Sequence, residues 1–474
     1  MASTRHTPRA TRDPWVWVAF LLPASAVLFS LMQTEDLAYQ VRAGELVWRL
    51  RDVLRTDPFT FTVAGAPWHN QQWGAQLVLA GLHGVSGWRG LAIVRAAIVG
   101  GAVGITYLRT KARGAPPSAA ACVTFVPFLV CITLPGTLAM RPQLLAVPLF
   151  VLSSVVVAER RRRPRLLWLI PFVSIAWANV HGSFVLLPLL CAVAFVADVV
   201  DRRERTWATG VVTVLAVLAP VATPWGLRSY VYVYNLSTAP IVRTVIDEWQ
   251  PIWRQWPAGV LFALTCVAAI GPIVRGDRRS LRLEDWLTIG LFTALAISAG
   301  RNLIWWSLAV PPALGPSLAS MPSSNWSRAS VRFVRIVLAA VVSIGLVHVL
   351  RGAPEHVLAD APPGITTAVR AAVPPDGHVF AGWWFSWLED AVPDGRMFVD
   401  ARAELFPTEV WDEYFAISRA DPGWDALLRE RGVDVVVASR RYQAPLIEAM
   451  SLAAGWRQVY ADAEGVIFLP TGAA

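Results

Sequence analysis

Charge is scarce in this chain. Of its 474 residues only 16% are charged, against about 25% in an average soluble protein, and 55% are hydrophobic. Windows of roughly 18 to 20 residues without charge recur along the sequence, and this is the length that an α-helix needs to cross a bilayer. These features exclude an ordinary soluble protein and indicate a polytopic α-helical membrane protein.

Cysteines and nucleotide-binding motifs are also few or absent. The sequence contains no P-loop, dinucleotide-binding fingerprint or nucleophile elbow. Its net charge of +9 lies mainly in short loops, which indicates membrane topology rather than nucleic-acid binding. A disulfide framework or a Cys/His metal site is not expected, because all four cysteines lie in apolar runs: Cys122, Cys131, Cys191 and Cys266.

Hydropathy predicts about eleven transmembrane helices in residues 1–350. The basic stretches fall in alternate connections, and cytoplasmic loops attract Arg and Lys, so the N-terminus is predicted to be cytoplasmic and residue 351 onward extracytoplasmic. The Trp residues, 23 in all, fit membrane interfaces. The predicted spans are 15–33, 89–108, 117–137, 142–158, 166–180, 183–199, 207–223, 257–274, 285–300, 303–319 and 332–350.

Residues 351–474 have a different composition. They contain 18 Asp and Glu against 10 Arg, whereas the chain as a whole is basic. Short apolar runs such as HVFA, RMFVDA, VDVVVAS and GVIFLP are typical of strands, and WDALLRERG reads as a helix that ends at Gly432. We therefore predict a separate extracytoplasmic α/β domain, which is long enough for its own core.

Two predicted outer loops, 33–88 and 225–256, are unusually long, and long connections in compact proteins are often functional. The first contains LAYQVRAGELVWRLRDV and WGAQLVLAGLHGV, which have the pattern of amphipathic helices lying on a membrane surface. It also places the acidic pair Glu35 and Asp36 directly after the first predicted span. A carboxylate there is positioned to deprotonate an acceptor while a lipid-linked sugar is attacked at C1.

Several motifs resemble bacterial integral-membrane glycosyltransferases of the GT-C superfamily, relatives of the dolichyl-phosphate-mannose-protein mannosyltransferases. They are TEDLAYQVRAGE and RTDPFTFTVAGAPWHNQQW in the first loop, then WANVHGS, DEWQP, AGRN, RMFVDARAELF and GWDALLRERGVDVVVAS. The resemblance covers most of the chain. It implies a polyprenyl-phosphate-sugar donor, inversion at C1, and a catalytic aspartate after the first helix, which is Asp36 here. The family pattern Asp-x-Asp is replaced by Thr34-Glu35-Asp36, which leaves open both metal use and which acid is the base.

The remaining site candidates are polar residues in predicted outer turns. Arginine binds phosphate through a planar fork, which makes Arg141, Arg301 and Arg243 candidates for the donor phosphate, and Arg95, inside a span, a weaker one. The candidates for substrate binding are Asn179, His181, Asp247, Glu248 and Asn302. A divalent metal, Mg²⁺ or Mn²⁺, is a further candidate cofactor, with its ligands unknown.

Each candidate also has a structural interpretation. Asp36 or Thr34 suits the N-cap of the following helix, Asn179 suits a turn, and outer arginines can reach lipid headgroups. For the whole chain, the predicted function is sugar transfer from a polyprenyl-phosphate donor to an envelope acceptor at the bacterial plasma membrane. The alternatives are a lipid-carrier transporter or flippase, which usually has paired halves, and a non-catalytic envelope assembly scaffold.

The predicted topology can be tested by cysteine labelling in intact cells. Asp376→Cys, in the predicted extracytoplasmic domain, should react with a membrane-impermeant thiol reagent, whereas Arg162→Cys, in a basic loop, should not. Labelling of Arg162→Cys together with protection of Asp376→Cys would show that the predicted orientation is wrong.

Overall fold

The computed structural model describes residues 13–33, 36–204, 206–275, 280–323, 326–359, 363–383, 385 and 387–472. Its helices are α1 (Trp15–Leu28), α2 (Leu37–Leu50), α3 (Trp73–Ala112), α4 (Pro117–Ile132), α5 (Pro142–Glu159), α6 (Ile170–Ala178), α7 (Leu186–Val200), α8 (Thr206–Leu218), α9 (Arg228–Thr238), α10 (Pro240–Val245), α11 (Ala258–Arg275), α12 (Leu283–Ser298), α13 (Leu303–Leu314), α14 (Arg328–Leu350), α15 (Pro363–Ala372), α16 (Trp387–Ala391), α17 (Thr408–Ser418), α18 (Trp424–Glu430) and α19 (Ala444–Leu452). Its strands are β1 (His378–Ala381), β2 (Arg396–Met397), β3 (Val435–Ser439), β4 (Trp456–Ala461) and β5 (Gly465–Pro470).

The predicted count of eleven spans is not supported. Within the described residues, four helical segments are long and apolar enough to cross a membrane: α3, α5, the 19-residue segment Gly182–Val200 and α14. Five further apolar helices are shorter. Hydropathy averages over an apolar run and does not detect where the helix breaks, as at Pro164 and Pro220, which lie at the start of 3₁₀ turns next to α6 and α8.

The first long loop is packed against the helices and not merely laid on a membrane. Its predicted helix is present as α2, which packs along α3. The contact is so close at Gly44 that an added Cβ would overlap the carbonyl of Gln76. The segment WGAQLVLAGLHGV is helical, as predicted, and forms the first part of α3, which a kink at Gly87, where φ is 60°, separates from the rest of that helix. Glycine adopts this backbone conformation without steric cost.

The C-terminal α/β structure is confirmed as a small mixed sheet with strand order β2-β1-β3-β5-β4. Strands β2, β1 and β3 are parallel, and β5 runs antiparallel to β3 and β4. The run VVVAS forms β3, in which every residue is buried, as expected for a strand covered on both faces. Helix α18 ends as predicted, with Gly432 at φ 64° shortly after it. The boundary at residue 351 remains a prediction, although α14 does end at Leu350.

Both long loops contact the C-terminal sheet. In the first loop, Phe61 N–H donates to the carbonyl of Met397 (3.1 Å), and Met397 N–H donates to the carbonyl of Phe59 (3.0 Å). In the second loop, Val242 of α10 is fully buried in the same hydrophobic cluster as Phe380 and Phe398. The sheet is therefore held in place by the loops that leave the helical part.

A buried ion cluster reinforces the contact with the first loop. Arg402 is 2% exposed and binds the carboxylates of Asp57 (Nη2–Oδ1, 2.5 Å) and Asp400 (Nε–Oδ1, 3.1 Å). Its guanidinium also lies 4.5 Å from the centre of the Trp68 ring. The nearby Glu389 carboxylate is buried and has no hydrogen-bond partner among the described residues. Burial raises its pKa well above the usual range, and Asp400 adds to this effect.

The cluster predicts a large loss of stability on Arg402→Ala. The change leaves Asp57 and Asp400 as buried carboxylates without their cation, which typically costs about 3–5 kcal/mol. The matched control is Arg429→Ala, which removes an exposed ion pair with Asp425 that is worth less than about 1 kcal/mol. Thermal unfolding of the purified protein should show a clear fall in Tm for Arg402→Ala only. Equal shifts in the two variants would contradict the prediction.

Candidate active site

A cavity of about 1080 Å³ separates the helical part from the C-terminal sheet. Four groups of residues line it: the first loop, the turns between helices, the second loop, and the C-terminal region. Representative lining residues are Asp36, Tyr39, Trp68, Gln71, Arg141, Gln143, His181, Tyr232, Glu248, Arg301, Arg402, Glu404, Arg441 and Tyr442. Eight of the residues singled out from the sequence thus line one cavity: Asp36, Arg141, His181, Arg243, Asp247, Glu248, Arg301 and Asn302.

Arg141 joins two of the predicted acids. It stands at the N-terminus of α5, and its Nη1 lies 3.3 Å from Asp36 Oδ2. Its Nη2 binds the carboxylate of Glu248. Asp36 occupies the N-cap position of α2 but makes no capping hydrogen bond. Its carboxylate therefore binds a cation of the cavity instead of serving the helix.

The two carboxylates differ in proton affinity. Burial raises the pKa of Asp36 above its ordinary value, although Arg141 opposes the shift. Burial acts in the same direction on Glu248, but Arg141 and Arg301 outweigh it, so the pKa of Glu248 is lowered. Burial thus dominates at Asp36 and the arginines dominate at Glu248, which remains ionised near neutral pH.

His181 and Arg301 are in contact at the cavity wall. Burial lowers the pKa of His181 well below its usual value, with Arg301 adding to the effect, so the ring is neutral. Ser183 N lies 3.1 Å and Ser183 Oγ 2.8 Å from His181 Nδ1. Arg301 Nη2 lies 3.3 Å from His181 Nε2, and because a guanidinium can only donate, Nε2 accepts in that hydrogen bond. Arg301 is therefore the member of this pair that can donate to an anionic oxygen.

The Arg301 side chain is fixed from several directions. Its guanidinium lies 3.9 Å from the centre of the Trp249 ring. Nη2 donates to Gln143 Oε1 (3.2 Å), and the Gln143 amide donates back to the carbonyl of Arg301 (3.1 Å). Arg301 Nη1 is 3.8 Å from Glu248. A planar guanidinium held in this way is pre-oriented for a phosphate group.

Other predicted residues have different surroundings. Asn179 donates to the carbonyl of Ile175 (2.8 Å) and accepts from Trp73 Nε1 (2.7 Å), which fits a structural role. Asn302 lines the cavity but donates to the Leu295 carbonyl (3.0 Å). Arg243 and Asp247 also line it, with exposed side chains.

Arg95 and Glu35 complete the set of predicted residues. Arg95 donates to the carbonyls of Leu138 (2.7 Å), Ser30 (3.1 Å) and Leu31 (3.2 Å). It therefore ties helix ends together, which is a structural role. Glu35 lies outside the described residues.

The described acids do not make a ligand set for a divalent metal. No group of three or more His, Cys, Asp or Glu side chains is arranged for one in the described part of the chain. Of the acids in the cavity, Asp36 and Glu248 both bind Arg141. Use of Mg²⁺ or Mn²⁺ remains an untested prediction.

Sequence reasoning did not identify the C-terminal contribution to the cavity. Glu404 accepts a hydrogen bond from Tyr232 OH (2.8 Å) and thereby joins the second loop to the C-terminal region. Arg441 and Tyr442 line the cavity from the loop after β3. The motif RMFVDARAELF contained the signal for Glu404, but nothing in the sequence near Arg441 marks it as part of a site.

Comparison with known proteins gives a structural match only. No family model matches the chain, and no curated protein sequence does. The crystal structure of the Archaeoglobus fulgidus oligosaccharyltransferase in its apo form is 13% identical, with a TM-score of 0.55, covering 97% of this chain and 74% of that one. The oligosaccharyltransferase AglB of the same organism, in complex with an inhibitory peptide and a dolichol-phosphate, is 11% identical, with a TM-score of 0.53 and coverage of 96% and 74%.

A third structure of the Archaeoglobus fulgidus enzyme, tethered to an acceptor peptide containing the NVT sequon, is 12% identical, with a TM-score of 0.52. The chain therefore has the fold of an archaeal oligosaccharyltransferase. The bacterial origin and the mannosyltransferase-like subtype implied by the sequence resemblance are not confirmed.

The fixed guanidinium of Arg301 predicts an anion site that depends on this residue. Binding of a polyprenyl phosphate should weaken roughly tenfold to a hundredfold in Arg301→Ala, because a hydrogen bond to a charged group is lost. Arg301→Lys should restore only part of the affinity for polyprenyl phosphate, since the lysine ammonium lacks the planar fork of a guanidinium. Native mass spectrometry or calorimetry measures the affinity. The control is Arg254→Ala, an exposed arginine outside the cavity lining; equal loss in the control would show that general surface charge, not this pair, holds the lipid.

Proposed function

We propose that this protein transfers a sugar from a polyprenyl-phosphate donor to an acceptor outside the cytoplasm. The observation that carries the proposal is the cluster of Asp36, Arg141 and Glu248 beside Arg301 and His181. It combines a basic carboxylate with an anion site in one cavity. The fold supports the proposal, because its solved relatives are oligosaccharyltransferases and one of them is in complex with a dolichol-phosphate.

The proposed reaction is an inverting displacement. Asp36 accepts the proton of the acceptor hydroxyl while the oxygen forms a bond to C1 of the sugar. The bond between C1 and the phosphate oxygen breaks on the opposite face, and its electron pair leaves with the phosphate. Arg301 donates to that phosphate and stabilises its charge, and His181 Nε2 accepts from Arg301 Nη2 beside it. Glu248 remains ionised and keeps Arg141 beside Asp36.

We place the cavity on the extracytoplasmic side of a bacterial plasma membrane. The support is the sequence pattern, in which basic loops alternate with the turns that contribute Arg141, His181 and Arg301. The lipid tail of the donor would remain in the bilayer among the helices. The acceptor would then reach Asp36 from the side of the C-terminal region.

The deciding experiment compares Asp36→Asn with the wild type. The variant keeps the size of the side chain but removes the proton acceptor, so sugar transfer should fall about 10²- to 10⁴-fold. Its binding of the donor lipid should be nearly unchanged. Glu35→Gln should lower the rate of sugar transfer less than Asp36→Asn does. Transfer is measured in proteoliposomes, with extracts containing native lipid-linked sugars as donors.

Asp52→Asn is the matched control, because this exposed aspartate lies in the same loop and outside the cavity lining. Its turnover should equal that of the wild type. Near-normal turnover of Asp36→Asn would refute the assignment of Asp36 as base. If Glu35→Gln were the inactive variant, the role would belong to Glu35 and the mechanism would remain.

A further inference from the structure

The wall of the cavity opposite the helices is formed by one edge of the C-terminal sheet. Strands β2, β1 and β3 are parallel, so their carboxyl ends meet at that edge. Arg402 and Glu404 follow β2, Trp383 follows β1, and Arg441 and Tyr442 follow β3, and all five line the cavity. Ligands of open α/β sheets bind beyond the carboxyl ends of the strands. This edge is therefore placed to bind the substrate that approaches Asp36.

Two of the residues at this edge hold the loops in place. Arg402 holds Asp57 and Asp400, and Glu404 accepts from Tyr232. The groups with exposed side chains are Arg441, Tyr442 and, from the turn between β4 and β5, Glu464. The Arg441 guanidinium lies 5.0 Å from the centre of the Tyr442 ring.

These exposed groups fit a neutral ligand with many hydroxyl groups. An arginine and a glutamate offer donors and acceptors of opposite charge, with no net charge to attract an ion. A tyrosine ring gives a flat apolar surface and a polar tip. The C–H face of a pyranose packs on such a ring while its hydroxyls bind the charged groups.

An extended peptide has no comparable site at this edge. Peptides commonly add a strand to a free sheet edge. Here the β2 edge is occupied by the first loop, through the hydrogen bonds that link Phe59 and Phe61 with Met397. The other edge strand, β4, contributes no residue to the cavity lining. Recognition at the cavity therefore depends on side chains and not on backbone pairing.

The edge also lies near the base. Tyr39, one turn after Asp36 on α2, lines the cavity. Burial raises the pKa of Tyr39 well above its usual value, and the negative charges of Asp36 and Glu404 both add to the shift. Asp36, Tyr39 and Glu404 line the same cavity. A ligand held at the sheet edge therefore extends into the space that contains Asp36.

We propose that the acceptor is a saccharide whose non-reacting sugar units bind at Tyr442, Arg441 and Glu464. The proposal rests on the function proposed above, because it names the class of acceptor for that transfer. It assigns acceptor specificity to the C-terminal region and donor binding to the turns between the helices.

The test is saturation-transfer difference NMR on the full-length protein in nanodiscs, in which ligand protons report weak binding. The probes are neutral di- to tetrasaccharides of mannose, glucose and galactose, and peptides containing Asn, Ser and Thr. At least one saccharide series should bind to the wild type. Affinity should fall about tenfold in Tyr442→Ala, which removes an aromatic anchor, and roughly threefold to tenfold in Arg441→Ala.

Matched controls are Tyr234→Ala and Arg457→Ala. Both residues are exposed and lie outside the cavity lining, so saccharide binding should be unchanged in them. Binding by peptides alone, no saccharide binding at all, or equal losses in the controls would each overturn the proposal.

A separate measurement of polyprenyl-phosphate binding distinguishes the two proposals. Normal lipid binding in Tyr442→Ala together with lost saccharide binding supports the division into two subsites. Failure of the wild type to bind any polyprenyl phosphate would instead overturn the proposed function itself.

Discussion

The candidate site depends on one guanidinium. Arg141 lies between two carboxylates that come from different loops, Asp36 from the first and Glu248 from the second. Without a cation between them, the two carboxylates would repel each other, and this repulsion would favour protonation of one of them. With it, one stays ionised and the other remains available as a base. The arginine therefore sets both the geometry and the proton affinities of the cavity.

The second loop owes its position to the C-terminal region. Val242 is buried in the C-terminal hydrophobic cluster, six residues before Glu248, and Trp249 packs against the same cluster on one side and Arg301 on the other. A substitution in that cluster would thus act on the helical part through the loop. The C-terminal region therefore both lines the cavity and positions the second loop within it.

Much of this arrangement could be predicted from the sequence, and the failures have physical causes. Periodicity identified α2 and α18 and the strand runs, and residue chemistry identified Asp36, Arg141, His181, Glu248 and Arg301. Their pairing could not be predicted, since Arg141 is separated from Asp36 by 105 residues and from Glu248 by 107. The count of spans failed because apolarity continues across breaks in the helices. The residues that follow β1, β2 and β3 were missed because they come together at the cavity only when the three strands are aligned in the sheet.

The burial of Val242 in the C-terminal core also has a consequence for biosynthesis. Its partners, Phe380 and Phe398, are translated well over one hundred residues after Glu248. The helices can enter the membrane while the second loop still lacks the surface that holds it. The contact that fixes the second loop therefore forms only after Phe398 has left the ribosome. A chain truncated before this residue lacks the surface against which Val242 packs.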